Sequence, residues 1–194
     1  MNQILDITNK DSYVKLLEGI KSEILQSGLK AHFAVNKELI MLYWNIGKRI
    51  LEKQESEGWG AKVIDNISRD LRQEFPEMKG FSITNLKYMK VFASNFKFEE
   101  ISQQAAGQIP WFHICTIIDK VSSHEQRMWY IQKTLENGWS RNVLNMNIKT
   151  NLYERDGRSI TNFQNTLPQI QSDLAQSIIK DPYNLEFLTV KTII

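Results

Sequence analysis

Between Lys62 and Lys97 two amphipathic segments meet at a punctuated turn, and few folds accommodate such a unit. On a helical wheel Val63, Ile64, Ile67, Leu71 and Phe75 share one face, while Asp65, Asn66, Arg69, Arg72 and Gln73 share the other. Pro76 stops that helix, since it lacks an amide and crowds the preceding turn. Gly80 lies in the connection and Ser82 suits an N-cap. Phe81 and Leu86 flank that cap at the spacing of a hydrophobic staple, which sets the angle of the next helix. In this second helix Leu86, Met89, Phe92, Ala93 and Phe96 face inward. Thr84, Lys87, Tyr88, Val91, Ser94 and Asn95 face out, with Lys90 on the flank. From Ser82 to Lys97 there are three lysines and no acid. A sharp turn and a cationic outer face fit a helix-turn-helix whose second helix enters a DNA groove. They also fit an ordinary helical hairpin with a solvated face, and the connection exceeds the three or four residues of the standard motif.

The chain has 194 residues, which suits one domain, or one with an appendage. Its 42% apolar content builds a core. The balance of 24 basic to 22 acidic residues gives only +2, so any nucleic-acid contact has to come from a local patch. A single cysteine, Cys115, excludes an internal disulfide, fits a reducing cytosol and lies in an apolar run that suits a buried thiol. The first residues lack a basic n-region, and no stretch reaches the roughly 18 apolar residues of a membrane span. The expectation is a soluble, cytoplasmic protein.

Taken in order, Asp11 or Ser12 caps a first helix to Ser27 with the stripe Tyr13, Leu16, Leu17, Ile20 and Ile24, which Gly28 breaks or bends. A second runs from Val35 to about Gln54 on Val35, Leu39, Tyr43, Ile46 and Ile50, and Gly58-Trp59-Gly60 turns the chain toward Lys62. After Lys97 a polar connection reaches Gly107, the place for a wing if the core is a winged helix. Pro110 starts a short helix, Trp111 to Asp119. Ser122 with Glu125 offers a capping box for a helix to about Asn137 that Gly138 ends. Ser140 caps the next, Arg141 to Asn151, with Trp139 and Leu144 at staple spacing. Glu154 to Gln169 is polar and reads as a linker before a last short helix, Ser172 to Lys180, and an apolar tail from Leu185. The class expected is mainly α, with a helix-turn-helix or winged-helix-like core over residues 1–153. Residues 154–194 supply linker, short helix and tail.

No catalytic set emerges. His32, His113 and His124 are scattered, without a second ligand at helical spacing, so no metal is expected. His113 suits a core or boundary hydrogen bond. No phosphate-binding glycine loop occurs, and no cofactor is implied. Glu77-Met78-Lys79 has the Glu-x-Lys order of many metal-dependent nucleases, but it falls in a turn, without strands to align Asp65 or Asp70 beside it.

Seven phrases in order carry a resemblance: Tyr43-Trp44-Asn45-Ile46-Gly47; Gly58-Trp59-Gly60; Gly80-Phe81-Ser82 with Asn85-Leu86 and Met89; Gln108-Ile109-Pro110-Trp111; Asn137-Gly138-Trp139-Ser140-Arg141; Leu152-Tyr153-Glu154-Arg155; and Lys180-Asp181-Pro182-Tyr183. From about Asp11 to Tyr183 the chain resembles the N-terminal domain of the YhcG-type PD-(D/E)XK nuclease family, domain of unknown function 1016. The resemblance implies a helical, winged-helix-like domain that precedes a nuclease domain. The chain ends at Ile194, about where that nuclease domain would begin, so its carboxylates and lysine have no counterparts here. Asn184-Leu185-Glu186-Phe187-Leu188 also replaces the family's Phe-Asp-Phe-Leu-like phrase.

Two functions remain open. One is a DNA-binding, nuclease-associated module without its own catalytic centre, reading DNA through Ser82, Thr84, Lys87, Tyr88 and Lys90. The other is a protein-interaction or oligomerisation module built on the long early helices, whose partner is a second copy or a nuclease subunit. Asn85 lies on the inner side of its helix and is expected to serve the fold by bonding the turn. Trp59, Trp111 and Trp139 are expected as packing anchors.

Overall fold

The computed structural model describes residues 10–58, 60, 62–102, 105–156 and 173–188. The first two expected helices are one, α1 (Lys10–Glu57), which runs unbroken through Gly28. A single mid-helix glycine weakens a helix by about 1 kcal/mol relative to alanine but removes no hydrogen bond, so flanking turns carry it. Residues 11–28 of α1 are exposed on every side. Farther on, Leu39, Ile40 and Tyr43 are fully buried, and α1 becomes the strut on which the rest is assembled.

Next come α2 (Lys62–Glu74), a 3-10 turn at Lys79–Phe81, and α3 (Ile83–Asn95). Helix α3 packs chiefly on α1. Its inward residues Leu86, Met89, Phe92 and Phe96 match the wheel. The two backbones touch at Gly47, where a Cβ would lie 2.0 Å from the Met89 carbonyl oxygen. Tyr43 sets its ring edge against Trp111 at 4.9 Å, Phe92 does the same from α3 at 5.5 Å, and the Trp44 indole donates to the Phe96 carbonyl at 2.8 Å.

The segment from Lys97 to Gly107 holds α4 (Phe98–Ser102) and a 3-10 turn at Ala105–Gln108, and no strand occurs among the described residues. Helices α5 (Trp111–Lys120), α6 (His124–Asn137), α7 (Arg141–Lys149) and α8 (Leu152–Asp156) follow. The cap of α6 is Ser123, whose oxygen accepts from the Gln126 amide, and not Ser122; α5 extends to Lys120 and Val121 is already extended, which shifts the start of α6 by one residue. Gly138, left-handed at φ 62°, ends α6, and Ser140 caps α7. The expected linker falls mostly at 157–172, outside the described residues, as do 189–194 of the tail and Trp59.

Helices α9 (Asp173–Ile179) and α10 (Pro182–Leu188) return to α1. Leu174, Ala175 and Ile178 are buried, and the Leu174 amide donates to the Gly138 carbonyl at 3.0 Å. The Asn184 amide donates to the Ile178 carbonyl at 3.2 Å and reaches Asn36 on α1 at 3.4 Å. Asp181 accepts from the Tyr183 amide at 2.9 Å and so caps α10, with Pro182 in the first helical position.

Candidate nucleic-acid interface

The α2–turn–α3 unit is held from inside by polar bonds. The buried Ser68 hydroxyl on α2 donates to the Phe81 carbonyl at 2.8 Å. Asn85, one turn into α3, donates to the Gly80 carbonyl at 2.5 Å and accepts from the Trp111 indole at 2.6 Å. The turn leaves no room for a side chain at Gly80, where a Cβ would stand 2.4 Å from the Tyr43 hydroxyl. Asn85 therefore serves the fold, as its inward position implied.

On the outer side the five candidate residues divide. Thr84 and Lys87 are exposed. Ser82 caps α3, its hydroxyl accepting from the Asn85 amide at 3.2 Å. Tyr88 donates to both carboxylate oxygens of Asp119, at 2.8 and 3.0 Å, and that bond, with some burial, pushes its phenol up to about 12. Lys90 is half-buried and donates to Gln54 on α1 at 3.2 Å. The free outer face of α3 is thus Thr84 and Lys87, with Ile83 and Val91 beside them, while Tyr88 and Lys90 brace α3 against its neighbours. Their wheel positions hold, but a wheel omits α1 and α5, which supply Gln54 and Asp119.

A second set of exposed cations, mixed with acids, lies elsewhere. A groove of about 690 Å³ runs along α2 to the start of α3, lined by Asp65, Arg69, Arg72, Gln73, Lys79 and Ser82 among others. Arg69 pairs with Asp70 at 3.0 Å, and Lys79, 83% exposed in its side chain, stands 3.9 Å from Glu186. Arg72 is exposed on the same rim. The shared outer face of Arg69 and Arg72 on α2 is the sequence signal that points to this groove, and a reading centred on α3 misses it. A second groove, about 280 Å³, lies on the other side of α3 between Thr84, Tyr88, Asp119, Arg141 and Tyr183, with the Arg141 guanidinium 5.5 Å above the Phe112 ring. Asp119 lies in this groove as Asp65 lies in the first.

Elsewhere, two chemistry-bearing residues are built into the core. Cys115 is buried, and burial pushes its thiol up to about 12. His113 is buried, with Nε2 3.1 Å from the Trp139 carbonyl, and desolvation lowers it to about 4, so the neutral ring donates there. Glu77 and Lys79 are exposed in and beside the turn after α2. Among the described residues no three His, Cys, Asp or Glu side chains cluster as a metal site would require.

A helical domain with a braced α2–turn–α3 unit and a groove of mixed charge beside it is what the fold and site define. Residues 19–155 match the DUF1016 N-terminal domain, and the chain belongs to that family. It is 27% identical over 216 residues to the Escherichia coli (strain K12) protein described as "Putative nuclease YhcG", a match that covers 93% of this chain and 55% of that protein. The chain therefore spans about half the length of this curated relative. No solved structure matches it. No helix among the described residues is long and apolar enough to cross a membrane.

Proposed function

We propose that this chain is the DNA-binding part of a nuclease-associated system, with α2, the turn and α3 acting as a helix-turn-helix that binds and does not cut. The observation that carries this reading is the groove in which Arg69, Arg72 and Lys79 lead to the N-terminus of α3, beside exposed Thr84 and Lys87. Cations along the first helix and turn suit phosphate contact, which positions a protein without selecting sequence. The exposed N-terminal part of α3 suits base edges. Kinship with a protein described as a "Putative nuclease" supports nucleic acid as the partner. The winged-helix likeness belongs to this proposal too, though no strand of a wing is among the described residues.

The test is a titration of labelled duplex DNA at several salt concentrations. Each neutralised phosphate contributes about 0.9 to the log–log salt slope, so Arg72→Ala with Lys79→Ala should lower it by about two. Lys87→Ala should lower it by about one, and Lys90→Ala should lower it less, because Lys90 is half-buried and turned toward α1. Magnesium or manganese should produce no cleavage by this chain. Equal slopes for the parent and the Arg72/Lys79 variant would rule out the groove as the DNA site.

A further inference from the structure

The outer arc of α3 is bracketed by two grooves. At 3.6 residues per turn, Ile83, Lys87, Val91, Thr84 and Tyr88 follow one another around the helix within about 140°. Ile83, at one edge, lines the groove along α2, while Thr84 and Tyr88, at the other, line the groove against α5. Ser82, the cap of α3, lines both. The groove against α5 has two unlike ends. The Asn85–Trp111 bond sets the start of α5 beside the start of α3, and the Tyr88–Asp119 bond sets its last turn beside the middle of α3. At 1.5 Å per residue Phe112 and Asp119 are about 10 Å apart along α5. Arg141, over the Phe112 ring, and Asp119 therefore mark opposite ends. Asp119 already accepts the Tyr88 hydroxyl on both oxygens. Arg141 is exposed and makes no ion pair or hydrogen bond among the described residues. Contact with the Phe112 ring at 5.5 Å restrains its guanidinium and leaves all five donors without an acceptor.

We infer that the Arg141 end of this groove is a second phosphate seat, so that the chain grips duplex DNA from both sides of α3. Arg72 and Lys79 take the backbone of one strand and Arg141 takes that of the other. This rests on the DNA-binding reading above and extends it. The major groove is about 12 Å wide, and a helix with its side chains is about 10–12 Å across, so a helix seated there has a phosphate backbone on each flank. The α2 groove supplies cations for one flank only. On the other flank Arg141 is the cation beside the start of α3, where base edges would be met. A guanidinium engages phosphate oxygens through two parallel bonds, which suits a group already held against a ring. The ligand is a phosphodiester of either strand sense, and the seat positions DNA without selecting its sequence.

Salt-dependent titration of labelled duplex by the full chain tests it. Arg141→Ala should lower the log–log slope by about one, on top of the loss of about two in the Arg72/Lys79 variant. Arg141→Lys should keep the slope, because a lysine still neutralises a phosphate. A merely structural Arg141 would cost affinity or melting temperature in both variants and leave both slopes alone. A duplex with uncharged methylphosphonates along one strand separates the strands. There the parent sets α2 on the charged strand, and Arg141→Ala should leave the slope unchanged. The inference is overturned if Arg141→Ala keeps the parent slope on ordinary duplex, or if it loses about one on the half-neutral duplex as well. Either result leaves the α2 groove as the DNA site. An Arg72/Lys79 variant with the parent slope would sink that groove and the two-sided grip together, and a parent that binds no duplex would sink the DNA-binding reading itself.

Discussion

The indole of Trp111 donates to the side-chain oxygen of Asn85 at 2.6 Å, and the amide of the same Asn85 holds the Gly80 carbonyl at 2.5 Å. One buried side chain thus locks the α2–α3 turn to α5. Asn85→Ala leaves a buried indole N–H and a buried carbonyl without partners, each costing about 1–3 kcal/mol. The expected result in calorimetry is a melting temperature lower by several degrees, with salt-dependent binding of the folded fraction retained. An unchanged melting temperature would show that the bonds contribute nothing.

Gly47→Ala sets a methyl 2.0 Å from the Met89 carbonyl oxygen, a backbone atom that cannot step aside. Helices α1 and α3 must separate, and overpacking of this kind costs typically about 1–3 kcal/mol. Gly28→Ala has open space around it and should instead stabilise the rod by up to about 1 kcal/mol. Denaturant midpoints that move in the same direction for both would contradict the helix contact.

Burial keeps His113 neutral down to about pH 4, against 6.5 for the free side chain. Between these values the unfolded chain binds a proton that the folded chain does not. Stability therefore falls as pH drops from 6.5 toward 4, by as much as about 3 kcal/mol. Asp181 is raised by burial and acts in the opposite sense near the acid end, so the comparison that isolates His113 is with His113→Gln. That variant should lose less stability than the parent across the window, measured by urea unfolding at pH 7 and pH 4.5.

The Tyr43 hydroxyl is buried against Gly80, close to the Asn85 side chain but without a well-formed hydrogen bond among the described residues. Tyr43→Phe keeps the ring contacts with Trp111 and Tyr183 and removes an unsatisfied polar atom. Stability should hold or rise by about 1 kcal/mol. A loss above that in a thermal melt would show that the hydroxyl is bonded in solution.

Much of the fold was legible where periodicity and caps agree. Phe81, Ser82 and Leu86 fixed the start of α3, and of the residues named for its inner face Leu86, Met89, Phe92 and Phe96 are buried and Ala93 half-buried. The union of the first two helices was not, because Gly28 is a statistical breaker whose small penalty long flanking helices absorb. The inward role of Asn85 could be read from its angle on the wheel. The bracing of Tyr88 and Lys90 could not, since Asp119 lies 31 residues from Tyr88 and Gln54 lies 36 from Lys90. Arg72 and Lys79 were visible as charges, but only the shape of the turn places them along one groove.

The return of α9 and α10 to α1 separates the matched domain from the folding unit. The family match ends at residue 155, yet Leu174, Ala175 and Ile178 lie inside the core and Asn184 reaches Asn36. A chain cut at Asp156 would keep every residue of the matched domain and still uncover an apolar slot along α1. Produced alone, such a fragment would be sticky and prone to aggregate, for want of two short helices that lie beyond the matched domain.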